Sequence, residues 1–222
     1  MGSVLHGIAS KLKWKLLIAA APVLLISALG VLVVLVAAVS IQHASSSEST
    51  ASTTSSAAYI PGQVTNLPIS KMGLVFIEQW EGAYSNWYDD GYGNMTIGYG
   101  HTGPLPTGFT SPLTTGPGGT AEQLLIQDLS SGGYCSSVQK EFQGVALNQN
   151  QMDALISLAY NIGGNAWNSL SLTQAVKTGA PPDIITADFE KICYAGTTYS
   201  PGLYRRRVAE ALLYTQGTYT YP

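Results

Sequence analysis

Between Glu81 and His101 the chain reads EGAYSNWYDDGYGNMTIGYGH, and this window holds residues whose types and spacing suit acid-base chemistry. Glu81 closes an amphipathic segment, ISKMGLVFIEQW, in which Met72, Val75, Phe76 and Trp80 recur at helical spacing. The spacing predicts a helix with Glu81 in its last turn. Exposed carbonyls there disfavour negative charge, which favours a protonated carboxyl at neutral pH, the state a general acid requires. Nine residues on, Asp90 lies in a glycine-punctuated turn between two runs that favour extended chain, Trp87-Tyr88 and Met95 to Tyr99. Asp-Gly and Gly-Asn steps supply the positive backbone dihedrals of a tight turn, so a short β-hairpin is predicted, with Asp90 folded back toward the helix end. One protonated and one ionised carboxyl facing a cleft form the pair that glycoside hydrolysis uses as proton donor and as base or nucleophile. Asp89 competes as the second carboxylate. Surface acids in such turns are common, so the residues alone leave an ordinary turn open.

The elements that must position this window follow it. The stretch from Thr102 to Gly119 is too rich in proline, glycine and threonine for regular structure and reads as a long surface loop. From Thr120 the period becomes helical. Thr120 with Gln123 forms one capping box, and Asn148 with Gln151 forms another ahead of the stripe Met152, Leu155, Ile156, Ala159 and Ile162, which Gly163-Gly164 ends. Further helices are predicted from Trp167 to Lys177, from Asp183 to Cys193, and after Ser200-Pro201 through Thr215. The sum is an α+β domain with a small β-hairpin lobe, a mostly helical lobe and a cleft between them.

The window from Glu81 to His101 resembles the catalytic signature of the phage-type lysozymes, the endolysins of glycoside hydrolase family 24. Asp90 lies nine positions after Glu81, and Thr96, six positions further on, opens the run T-I-G-Y-G-H without a gap. LNQNQMDALISLAYNIGGNAW resembles the family's central buried helix, and SPGLYRRRVAEALLY its C-terminal segment. The resemblance implies a lysozyme-like fold. It makes Glu81 the general acid on the glycosidic oxygen, and Asp90 with the Thr96 hydroxyl the holder and activator of the attacking water. It also implies that Tyr160 and Asn161 lie near the cleft, that Ser171 contacts sugar, that Trp167 packs below, and that Arg206 approaches the catalytic Glu as part of substrate binding. Read without it, Tyr160 and Trp167 are core residues of an amphipathic helix, and Arg205 to Arg207 are a solvated helix face. His101 is implied as a structural ion-pair partner.

The remainder of the chain concerns location. Of the 222 residues 45% are hydrophobic and only 10% charged, and the excess lies at the front. Residues 16–41 carry no charge over 26 positions, and as a helix would extend about 39 Å, beyond the about 30 Å of a bilayer's hydrocarbon. Lys11, Lys13 and Lys15 precede the span and no Lys or Arg follows before Lys71, so the N-terminus is expected in the cytoplasm and the rest outside. The organisation read from this is a cytoplasmic tail over 1–15, an uncleaved transmembrane signal anchor over 16–41, a Ser/Thr-rich flexible linker over 42–65 and the catalytic domain over 66–222.

Residues 66–222 hold twelve acids against seven basic residues, which argues against nucleic acid as a partner. Three histidines and two cysteines are too scattered for a metal site, and no cofactor is expected. On the exported side Cys135 and Cys193 are equally compatible with a disulfide and with buried free thiols. The expectation is a monomeric catalytic domain on the outer face of the cytoplasmic membrane, hydrolysing the β-1,4 bond between N-acetylmuramic acid and N-acetylglucosamine in peptidoglycan. A lytic transglycosylase, or a non-catalytic peptidoglycan-binding module of a secretion or conjugation apparatus, is the alternative.

Overall fold

A computed structural model describes residues 66–222, Tyr92 excepted. The expectations for the tail, the membrane span and the linker, over 1–65, lie outside the described residues. Among those described, no helix is long and apolar enough to cross a membrane.

The first described helix, α1 (Lys71–Glu81), starts where the Ser70 hydroxyl accepts from the Gly73 amide at 2.9 Å. It ends on Glu81 as predicted, but the face it buries completely is Leu74, Phe76 and Ile77; of the predicted stripe only Phe76 is buried, Val75 and Trp80 are half-buried and Met72 is exposed. Gly82 releases the chain at φ 69, a conformation that a side chain would resist, while its N–H donates to the Glu78 carbonyl at 3.0 Å. The hairpin follows directly as β1 (Tyr84–Asp89) and β2 (Met95–Gly98), extended by an unanticipated third strand, β3 (His101–Thr102), in an antiparallel sheet of order β1-β2-β3. In its register Tyr88 faces Thr96 and Asp89 faces Met95. The chain then runs without helix or strand to Thr120. Leu113, buried at its middle, ties this loop to β1 by donating its N–H to the Ser85 carbonyl at 2.7 Å.

The helical part comprises α2 (Thr120–Ser131), α3 (Tyr134–Glu141), α4 (Gln149–Ile162), α5 (Ser171–Thr178), α6 (Pro182–Glu190) and α7 (Pro201–Gln216). A short hairpin of β4 (Tyr194–Ala195) and β5 (Thr198–Tyr199) precedes α7. The capping box of Asn148 and Gln151 is present with both hydrogen bonds. That of Thr120 and Gln123 is not. Gly119 takes the N-cap position, and the Thr120 hydroxyl accepts instead from the Thr114 amide at 2.8 Å, because the preceding loop folds back over the helix start. The helix expected from Trp167 is split: a 3-10 turn over Trp167–Ser169 ends at Leu170, whose ψ of 129° breaks the spiral before α5 begins.

Helix α4 is the axis of the domain, buried from Asp153 through Ile162. Asp153 explains how it holds α1. Wholly buried, its carboxylate accepts from the Ser70 amide (2.9 Å), the Ser70 hydroxyl, Gln149 Nε2 (2.8 Å) and the Tyr219 hydroxyl (2.7 Å). One side chain thus joins the start of α1, the first turn of α4 and the C-terminal tail. The approach is close enough that a Cβ on Gly73 would lie 2.5 Å from Asp153 Cγ, so only glycine fits there.

Candidate active site

Glu81 and Asp90, 1% exposed each, reach burial by different means. Asp90 is held locally. Its Oδ1 accepts from the Asn94 amide at 3.0 Å and its Oδ2 from Asn94 Nδ2 at 2.8 Å, while its own N–H donates to the Asn94 carbonyl at 3.1 Å. The Gly-punctuated turn supplies the geometry for that clamp. Asp89 is exposed and bonds the Gly91 amide at 2.8 Å, so the structure separates the two neighbouring acids by burial.

Glu81 is held from afar. Arg206 of α7 places Nη1 2.7 Å from Glu81 Oε1 and Nε 3.0 Å from Glu210 Oε1. Arg207 meets the same Glu210, Nε to Oε2 at 2.7 Å and Nη2 to Oε1 at 3.0 Å. Ser157 of α4 completes the set, its hydroxyl donating to Glu210 Oε1 at 2.7 Å. All four charged groups are at most 4% exposed. Charge pairing with Glu81 and Glu210 holds the Arg206 guanidinium above its ordinary range against its burial, whereas burial brings Arg207 down to about 10.

Thr96, fully buried on β2, stands opposite Tyr88 of β1. Neither hydroxyl has a hydrogen-bond partner among the described residues. Burial, then the neighbouring Tyr84, Glu81 and Asp90, push the Tyr88 phenol well above its usual range, which puts both carboxylates within electrostatic reach of it. Tyr88 therefore lies in the field of both acids. Sequence reasoning passed over it, although its place two residues before Asp90 was available as a signal.

The family model for phage lysozyme matches residues 78–210, a span that takes in Glu81, Asp90, Thr96 and the Arg206 cluster. The chain belongs to the phage lysozyme family. In class it is therefore a lysozyme-type glycosidase. It is 35% identical over 150 residues to the endolysin of Acyrthosiphon pisum secondary endosymbiont phage 1, covering 66% of this chain and 97% of that protein. It is 32% identical to the endolysin of Bacillus phage PZA over 68% of this chain, and spans only 57% of that relative's length. Among solved structures it resembles an endolysin from Escherichia coli O157:H7 phage FAHEc1, with a TM-score of 0.59 and 29% identity over 68% of this chain and 96% of that one.

Within this lysozyme fold the remaining expected residues are placed as follows. Tyr160 is buried against Tyr134, edge to face with ring centroids 4.9 Å apart, and its hydroxyl donates to the Tyr99 carbonyl at 3.0 Å, tying α4 to the sheet. Asn161 is buried beside it, its Oδ1 without a partner among the described residues. Trp167 packs edge to face on Phe142. The Ser171 hydroxyl is committed to Asp188 Oδ1 at 2.8 Å. His101 pairs with Asp128 at 2.9 Å, and that hydrogen bond, foremost, raises its basicity.

One expectation is corrected and one open alternative is decided. The arginine run is not a solvated face, since only Arg205 is exposed while Arg206 and Arg207 turn inward to the two glutamates. Arg206 thus lies between Glu81 and Glu210, in contact with both. Cys135 and Cys193 are buried free thiols, one inside α3 and the other next to β4, each pushed up chiefly by burial.

One turn before Glu81 lies an acid the sequence did not flag. Glu78 is 7% exposed and raised to about 7, first by burial and then by the charge of Glu122, against the pull of Lys71. Lys71 Nζ lies 2.6 Å from Glu122 Oε1. A carboxyl whose folded-state value exceeds its unfolded value contributes most at acid pH, and that contribution fades between about 4.5 and about 7 as the unfolded chain gives up its proton first. Glu78→Gln should flatten this decline: urea melts of variant and wild type coincide near pH 4 and diverge in the variant's favour above pH 7. Arg206→Met removes the buried cation paired with Glu81, leaves Glu210 to Arg207 alone, and should lower stability by about 3–5 kcal/mol, read from the shift in urea midpoint.

Proposed function

We propose that this chain is an exported, membrane-anchored muramidase that hydrolyses the β-1,4 bond between N-acetylmuramic acid and N-acetylglucosamine in peptidoglycan. The observation that carries the reading is the pairing of two buried carboxylates in unlike settings, Glu81 beside a guanidinium and Asp90 among amide donors, both acting on Tyr88. Glu81 gives its proton to the glycosidic oxygen, and Asp90, with Thr96, holds and activates water on the other face of the sugar. Arg206 favours the ionised form of Glu81, yet its charge is shared with Glu210, and burial favours the protonated form. The family resemblance implies inversion, a course that requires room for a water between the carboxyls.

Residues 16–41 are the proposed anchor, with 1–15 in the cytoplasm and 66–222 outside, and the linker lets the domain search the adjacent wall. In cells bearing the full chain, membrane fractionation should retain it and protease added to spheroplasts should digest 66–222. A chain found in the soluble fraction would rule the anchor out.

Full-length protein should clear a suspension of purified peptidoglycan. Glu81→Gln should abolish clearing, and Asp90→Asn should slow it by roughly a hundredfold or more. Mass spectrometry separates the mechanisms: reducing muramic ends identify a hydrolase, anhydro ends a transglycosylase, and intact strands a binding module.

A further inference from the structure

The two-carboxylate reading leaves a phenol without a task. Tyr88 and Thr96 are directly opposed in the β1-β2 ribbon, and residues so paired place their side chains on one face. Both hydroxyls are buried and neither has a partner among the described residues. A buried hydroxyl that makes no hydrogen bond forfeits those it had in water, which is why such groups are rare away from sites that receive a polar ligand. Here two occur together, and the charge of Asp90 bears on one of them. The Tyr84 ring lies against Tyr88 with centroids 4.2 Å apart, so the phenol is held in position. Its raised ionisation keeps it an O–H donor wherever the enzyme works.

Building on the hydrolase reading above, we propose that Tyr88 Oη and Thr96 Oγ1 together hold the nucleophilic water against Asp90, which makes Tyr88 a catalytic residue. A water bound there has the three polar partners that a stable buried water needs. One hydrogen goes to Asp90 and the other to Thr96 Oγ1. Tyr88 donates to one lone pair, leaving the second directed at the anomeric carbon. In the step, the water oxygen bonds to that carbon as its bond to the glycosidic oxygen breaks. Glu81 supplies the proton to the leaving oxygen, and Asp90 takes the proton that the water gives up. Losing the Tyr88 hydroxyl therefore removes an interaction with the reacting atom and leaves the sugar contacts intact.

The test is Tyr88→Phe in the full-length protein, assayed in detergent on purified peptidoglycan beside wild type, Thr96→Val and the double variant. The expected result is a kcat lowered about tenfold to a hundredfold, with KM within about twofold of wild type. Tm should be unchanged or higher, because the hydroxyl removed has no protein partner. The double variant should lose less than the product of the two single losses, since both hydroxyls act on one water. An unaltered kcat, a rise confined to KM, or strictly multiplicative losses would each overturn the proposal while leaving the hydrolase reading in place. A wild-type protein inert on peptidoglycan would bring down that reading and this one with it.

Discussion

Charge that leaves water must find charge of the opposite sign, and that requirement shapes the domain around Glu81. Four ionisable groups, Glu81, Arg206, Glu210 and Arg207, are withdrawn from solvent together, two of each sign. Desolvating a single one would outweigh most of the stability of a domain this size, whereas the set, paired charge against charge and hydrogen-bonded in part through Ser157, is tolerable, although Arg207 Nε and Nη1 and Glu210 Oε2 lack hydrogen-bond partners among the described residues. The end of α1, the middle of α4 and the first turns of α7 must therefore come together at one point. Arg206 is 125 residues from Glu81, so the proposed proton donor is set in place by the opposite end of the chain.

Asp90 obeys a different rule. Its clamp to Asn94 closes within four residues and depends on the turn alone, through a backbone and a side-chain amide of the same residue. One acid is thus located by tertiary packing and the other by local turn chemistry. A disturbance of the helical part moves Glu81 first, and a disturbance of the ribbon moves Asp90 with Thr96 and Tyr88. The buried contact from the Tyr160 hydroxyl to the Tyr99 carbonyl spans from α4 to the end of β2 and keeps the two halves in step.

This division also explains what was legible in the sequence. Features fixed within a few residues were readable: the helix ending at Glu81, the hairpin turn with Asp90 on it, the capping box at Asn148, and the start of α7 at Ser200-Pro201. Features fixed by distant partners were not. An arginine run at exposed-looking spacing gives no hint that a glutamate far upstream draws two of its members inward. Thr120 has the right neighbour for a capping box, yet Thr114 competes successfully for its hydroxyl. The strands of the β4-β5 hairpin are two residues long, too short for alternation to register, and α3 has only eight residues with few apolar ones. Tyr88 looked like any strand tyrosine because the lack of a partner for its hydroxyl is a property of three dimensions.

The inward turn of the arginines bears on how such an enzyme reaches an anionic wall. Residues 66–222 already carry fewer basic than acidic side chains, and Arg206 and Arg207 are spent inside on Glu81 and Glu210. Lys71, Lys177 and Lys191 are each paired with an acid, at 2.6, 2.5 and 2.5 Å. What remains presents little positive field to solvent, and beyond roughly 8 Å at physiological salt even that is screened. Long-range attraction therefore cannot gather this domain onto its polymer. Under the proposed anchoring, confinement to the membrane replaces it, since a tether of the length of the linker holds the domain at high local concentration without any contact to the wall. The same cluster that fixes the acid thus withdraws the charge that would have steered it, and the proposed N-terminal stem accounts for how the enzyme works without that charge.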